Sequence, residues 1–226
     1  MTRTRRAMVA MLLVGLAIFS SLYSTQAILP TLVENMGLSS TEAALTVSAA
    51  TGALALCVVP ASILSERFGR GRILLISAVA ATSVGLVVPI AHQGWQLILL
   101  RGLQGALLSG APATAMAWLA EELDDQALPR AMGLYIAGTS IGGLTGRLIP
   151  TGLVEVSTWR WALFGSALVS LTFALTSWLL LPAQRNFRPK PIRLKNESRA
   201  LFGHWANRDL ALLFLTAFLS MGTFVS

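Results

Sequence analysis

Apolar residues in this chain neither alternate nor recur on one side of a helix; they run in blocks from which charged side chains are nearly absent. A helix that crosses about 30 Å of hydrocarbon needs about 20 such residues. Six complete blocks of that kind can be marked. The first lies between Arg6 and Glu34, and the second between Glu42 and Glu66. The stretch from Arg72 to Glu121 is too long for one helix and dips in hydropathy at His92, Gln93, Gly94, Trp95 and Gln96, so it predicts a hairpin of two spans. The fifth block runs from Ala131 to Val154 with Arg147 inside it, and the sixth from Trp161 to Leu181. A seventh begins near Leu210 and is still apolar at Ser226. The pattern therefore predicts an all-α, polytopic transmembrane bundle with six complete helices and a truncated seventh. Its parts are a six-helix unit over 1–182, a cytoplasmic linker over 183–208 and the start of the seventh helix over 209–226.

Composition agrees with this. Hydrophobic residues make up 54% of the chain and charged residues 12%, too greasy for a soluble core. The mean hydropathy is +0.68. Arg3, Arg5 and Arg6 ahead of an apolar run resemble a secretory leader, but the run is too long and five more spans follow. Cys57 is the sole cysteine, which excludes a disulfide framework. His92 and His204 fall in separate loops expected to face opposite sides, so no metal site is predicted, and no cofactor.

A net charge of +7 would point to nucleic acid in a soluble protein. Here the cations sit on alternate loops. Arg3, Arg5 and Arg6 precede the first span, Arg67, Arg70 and Arg72 join the second to the third, and Arg130 precedes the fifth. Seven more, from Arg185 to Arg208, follow the sixth. The opposite loops carry Glu34, Glu42 and Glu155, with Arg160 as their clear basic residue. Cytoplasmic loops are enriched in Lys and Arg, which places the amino terminus and the 183–208 linker in the cytoplasm. The expected partner is a lipid bilayer and not nucleic acid. Glu121, Glu122, Asp124 and Asp125 form an acidic exception that reads as a solvated turn at the start of the fifth span. Proline and cations over Pro182 to Asp209 predict an extended surface segment, with an interfacial stretch around Leu201 to Trp205.

Several local patterns carry more. The turn Leu64-Ser65-Glu66-Arg67-Phe68-Gly69-Arg70-Gly71-Arg72 packs an acid, a glycine and three arginines between two helix ends, which charge-assisted hydrogen bonds can lock. Arg101-Gly102-Leu103-Gln104-Gly105 sets an arginine inside the fourth span. Such a residue either serves a function or snorkels to the interface, and helix physics alone leaves both open. Gly138, Gly142 and Gly146 repeat every four residues, with Gly143 beside them, and let another helix approach closely. Tyr23 and Gln26 share a face of the first span ahead of Pro30. Cavity-lining residues, an interfacial aromatic and a helix–helix hydrogen bond are all open to them. Arg147 is read as snorkelling to the outer face.

In this order the motifs resemble those of the major facilitator superfamily, amino-terminal half. The acid-arginine-x-glycine-arginine core Glu66, Arg67, Gly69, Arg70, with Arg72, is similar to its conformational-gate loop, although Glu66 stands for aspartate and Ser62 for the first glycine. Arg101 and Gln104-Gly105 match its arginine-x-x-glutamine-glycine motif. The fifth-span glycines resemble the antiporter motif, with Thr139 in place of proline. Tyr23-x-x-Gln26 before Pro30, and Trp159-Arg160-Trp161, look like bacterial efflux permeases of the arabinose-export-permease-like group. The resemblance implies an inverted three-plus-three repeat and a substrate or coupling cavity lined by Tyr23, Gln26, Arg101 and Gln104. It also implies proton-driven export of small molecules by alternating access at the cell inner membrane, with protons and a missing carboxy-terminal half as partners. An uptake symporter on the same scaffold and a non-transporting fragment are the alternatives. An enzyme is not expected, since the spans offer no nucleophile and base on facing helices.

Overall fold

The computed structural model describes residues 2–189 together with Leu212, Leu215 and Thr216. The chain divides into two compact units, Met1–Lys190 and Pro191–Ser226. In the second, Thr216 donates from Oγ1 to the Leu212 carbonyl at 2.8 Å, one turn of helix. The expected interfacial stretch at Leu201 to Trp205 lies outside the described residues.

The first unit is helical, with no strand among its described residues. Helix α1 (Arg3–Tyr23) opens on Thr2, whose hydroxyl accepts from the Arg5 amide. The first apolar block does not continue as one rod. It breaks after Tyr23, passes through a 3-10 turn at Gln26–Ile28 and resumes as α2 (Leu29–Met36). Pro30 supplies the cause: it has no N–H for the Gln26 carbonyl and its ring crowds that carbonyl. Gly37, at φ 65°, stops α2.

Helix α3 (Ser40–Phe68) begins with a capping box between Ser39 and Glu42 and ends at Gly69, whose φ of 102° turns the chain directly into α4 (Arg70–Val87). A 3-10 turn at Val88–Ile90 closes that span. The hairpin turn is shorter than the dip in hydropathy predicts, because Gln93 and Gln96 form a second capping box and helix α5 (Gly94–Leu108) already starts at Gly94. Its span is also broken. Pro112 cannot donate to the Leu108 carbonyl, and the chain pauses at Ser109 before α6 (Gly110–Glu122). Helices α7 (Leu128–Val156) and α8 (Trp159–Leu180) complete the unit.

Among the described residues, four helical runs are long and apolar enough to cross a membrane: Arg3–Met36, Ser40–Phe68, Arg70–Ile90 and Trp159–Leu180. Large apolar side chains cover the outside, and hydroxyl side chains lie buried among the apolar ones inside. Leu56, Leu179, Trp161 and Leu148 lie outside, while Ser20, Ser21, Thr46, Thr82, Ser166 and Ser170 are buried. Without a hydrophobic force between helices in lipid, close approach and hydrogen bonds hold such a bundle, and Ser20 and Ser170 meet at 2.8 Å across α1 and α8.

Close approach is most developed between α1 and α7. A methyl group added to Gly142 would stand 2.9 Å from the carbonyl oxygens of Gly15 and Leu16, and one on Gly146 would stand 2.6 Å from that of Ser20. Gly138 faces the Leu12 carbonyl in the same way. Both chains advance four residues per contact in the same sense, so the two helices run parallel, backbone on backbone. Gly15 completes the seam from the other side, 2.8 Å from the Thr139 amide on the same measure. Gly105 of α5 makes the equivalent contact with the Ala50 backbone of α3, whereas Gly143 lies apart from the seam and faces the Tyr23 ring at 3.5 Å.

The seam makes a sharp comparison. Gly146→Ala should lower the thermal unfolding midpoint of the detergent-solubilised chain, by overpacking worth about 1–3 kcal/mol. Gly152→Ala, also on α7 but with nothing within 4 Å, should leave it unchanged or raise it.

Candidate functional site

The break in the first block leaves carbonyls at the end of α1 without helical partners. Arg101, on α5, lies against them and is 0% exposed. Its Nη1 donates to the Ser21 carbonyl at 3.1 Å, its Nη2 to the Leu22 carbonyl, and its Nε to the Thr46 carbonyl of α3 at 3.4 Å. The same guanidinium donates to Gln104 Oε1 at 2.6 Å. Gln104 Nε2 in turn donates to Ser21 Oγ at 2.8 Å and to the Ala81 carbonyl of α4 at 3.2 Å. Two side chains one helical turn apart thus tie α1, α3, α4 and α5 together. A cavity of about 10 Å³ adjoins them, lined by Ser21, Ser24, Gly85, Gln104 and their apolar neighbours.

No carboxylate among the described residues lies within 4.0 Å of Arg101. Its permanent charge is met by carbonyl dipoles, two of them at the carboxy-terminal end of α1, where a helix carries partial negative charge. Arg101 therefore neither snorkels outward nor opens into a broad cavity.

Tyr23 and Gln26 are brought together with a residue that sequence reasoning set aside. Arg147 of α7 donates from Nε and Nη2 to Gln26 Oε1, at 3.2 and 3.1 Å. Its guanidinium carbon lies 4.7 Å from the centre of the Tyr23 ring, a cation–π distance. Instead of snorkelling, Arg147 turns inward across the ring. The available signal was the spacing: Gly143, four residues earlier on the same face, lies beside the Tyr23 ring, where an added methyl would make ordinary contact at 3.5 Å.

A second network closes the end of the bundle that carries the basic loops. Arg70 pairs with Glu66 at 3.6 Å and with Glu121 of α6 at 2.6 Å. Arg67 lies over the Phe68 ring, and Gly69 provides the turn. Arg72 lines a cavity of about 330 Å³ with Trp118 and Phe187. The acidic cluster differs from its reading as a solvated turn, because the Glu122 carboxylate is buried. It accepts from Arg3 at 2.5 Å and from the amides of Arg185 and Asn186, each at 2.8 Å. Gln184 accepts from the Gly71 amide at 2.9 Å. The chain after α8 is thereby strapped across α1, α4 and α6. Asp124, which caps the Ala127 amide at 2.8 Å, and Asp125 are exposed and behave as turn residues should.

Burial alone would raise the Glu122 carboxyl, yet its hydrogen bonds from Arg3, Asn186 and Arg185 prevail and hold it below its ordinary value.

Comparison with known proteins now decides the family. The Major Facilitator Superfamily model matches residues 10–226. The chain belongs to that family. It is 36% identical over 222 residues to the inner membrane transport protein YnfM of Escherichia coli, covering 98% of this chain and 53% of that protein. It is 34% identical to the MFS-type transporter YybF of Bacillus subtilis, covering 98% of this chain and 55% of that one. A gallate transporter of Pseudomonas putida is 27% identical over 160 residues, or 71% of this chain and 36% of that protein. The chain spans about half the length of the curated relatives it matches most fully. A membrane-transporter fold, and not an enzyme, is what these relations establish.

Three variants test the networks. Arg101→Ala should lower the unfolding midpoint sharply, since each hydrogen bond to a charged group is worth about 1.5–3 kcal/mol and the Leu22 carbonyl would lose its donor, while Ser21 would keep the Ser24 hydroxyl at 3.0 Å. Arg101→Lys should recover only part of the loss in the same assay, because an ammonium lacks the planar fork that reaches three carbonyls. For Glu122, the folded value is depressed, so the unfolded chain binds more protons at low pH. Its contribution is complete above the ordinary carboxyl value of about 4.3 and is lost as pH falls through the folded value. Glu122→Gln should flatten that acid limb in unfolding measured between pH 3 and 7.

Proposed function

We propose that this chain is the amino-terminal half of a secondary transporter that exports small molecules across the cell inner membrane, driven by the proton-motive force. The observation that carries the reading is the Arg101–Gln104 network, in which a permanent charge is held inside a bundle whose outer faces are apolar. Intramembrane charge is costly and marks transport pathways and coupling sites. All six apolar blocks act as spans in this reading, with α5 and α6 forming one broken span and α7 a continuous one. Arg3, Arg70 and the strap after α8 then face the cytoplasm, in keeping with the excess of basic residues at that end.

Broken helices at membrane depth suit the alternating-access scheme, in which two halves rock about a site near the midplane. The break at Ser24–Ile28 lies on the first span, and Tyr23, Gln26, Arg101 and Gln104 gather around or beside it. The Arg70–Glu66–Glu121 cluster holds α3, α4 and α6 of this half together at the cytoplasmic end, the end that opens and closes as the halves rock. Arginine does not release a proton at useful pH, so we place the proton-titrating group on the carboxy-terminal half, with Arg101 holding the helix against which it acts. Uptake by symport is the second reading. The name of the Pseudomonas relative, a gallate transporter, supports a small organic solute but not a direction.

Direction and coupling have one direct test. In everted inner-membrane vesicles carrying the complete transporter and energised with lactate, the exported solute should accumulate, and an uncoupler should abolish accumulation. Accumulation confined to right-side-out vesicles would support symport instead, and accumulation indifferent to the uncoupler would contradict proton coupling.

A further inference from the structure

We propose that Arg147, Gln26 and Tyr23 form a binding site for the carboxylate of an organic anion. The inference rests on the transport reading above and names its substrate class.

The guanidinium of Arg147 carries a full charge with no carboxylate within 4.0 Å among the described residues. The acids at this end of the bundle are spent elsewhere: Glu34 and Glu155 are exposed, and Glu42 closes the capping box with Ser39. Arg147 precedes Val156, the end of α7, by nine residues, and Gln26 precedes Met36, the end of α2, by ten. At about 1.5 Å per residue, both lie roughly 14 Å inside the helix ends, deeper than a surface ion pair.

Among the described residues, the charge is met by dipoles alone. Gln26 Oε1 takes the Nε and Nη2 protons, and the Tyr23 ring takes one face of the guanidinium. Nη1 donates to no described residue. Arg147 and Gln26 are only half-buried, while Tyr23 is buried, so the fixed ring backs a fork that remains open to a ligand. A planar carboxylate answers the remaining donors and neutralises the charge. A neutral solute would leave that charge uncompensated in a medium where this is expensive. Gly143 of α7 lies beside the Tyr23 ring, so that α7 passes next to the platform.

The test is equilibrium binding of radiolabelled acetate, benzoate and succinate to the purified chain in phosphatidylcholine nanodiscs. At least one should bind saturably, Arg147→Gln should weaken it tenfold or more, and the neutral analogue benzamide should not compete. Gln26→Ala should weaken binding less, because it removes a positioning acceptor and leaves the charge. Circular dichroism and gel filtration establish that each variant is folded; if Arg147→Gln is not, Arg147→Lys replaces it and should retain weakened binding. No saturable binding of any of the three, equal binding by a folded Arg147→Gln, or equal competition by benzamide would overturn the proposal. So would displacement of the anion by phosphatidylglycerol in the disc, which would assign the fork to a lipid headgroup. If transport assays succeed while carboxylates fail here, the site is wrong and the transport reading stands. Carboxylate binding through Arg147 without any transport would have the opposite meaning.

Discussion

The structure depends on how one broken helix is held. Pro30 prevents the first span from running straight, and the break leaves buried carbonyl groups at Ser21 and Leu22 without their helical partners, the first met in part by the Ser24 hydroxyl. Arg101 supplies the donors, its charge settled by the dipole end of the helix it caps. Because the same guanidinium reaches Thr46, and Gln104 reaches Ala81, repair of the break also fixes where α3 and α4 sit. An apolar side chain at 101 would solve none of these problems.

Around that knot, the other devices are of two kinds. Along the helices, small residues replace hydrophobic interdigitation: the Gly138–Gly142–Gly146 seam against α1, and Gly105 against α3, allow backbones to touch. At the basic end, charges do the joining, with Arg70 between Glu66 and Glu121, and Glu122 between Arg3 and the segment after α8. Charge pairs at such an aqueous end can open at modest cost, whereas the seams cannot part without exposing backbone to lipid.

Much of the helical organisation was legible because lipid imposes a simple rule on composition. The order of helices, the hairpin in the long third block and the tight turn at Gly69 follow from blocks, dips and a glycine between charges. The breaks at Ser24–Ile28 and Ser109 were written in Pro30 and Pro112, but hydropathy averages over a proline and hides them. Arg147 was less legible. An arginine near the end of an apolar block reads as snorkelling unless the partner across the helix pair is known, and only packing brings Gly143, Tyr23 and Arg147 together. Glu122 was obscured for the same reason: its partners lie 119, 63 and 64 residues away in the chain.

The central claim is that Arg101 acts on α1, α3 and α4 at once. Amide hydrogen exchange, compared by mass spectrometry between the wild-type chain and Arg101→Ala in nanodiscs, tests it directly. Faster exchange should appear together in the segments around Leu22–Ile28, Thr46 and Ala81, all distant in sequence from the substitution. A change confined to the turn of α5 that carries residue 101 would contradict the account.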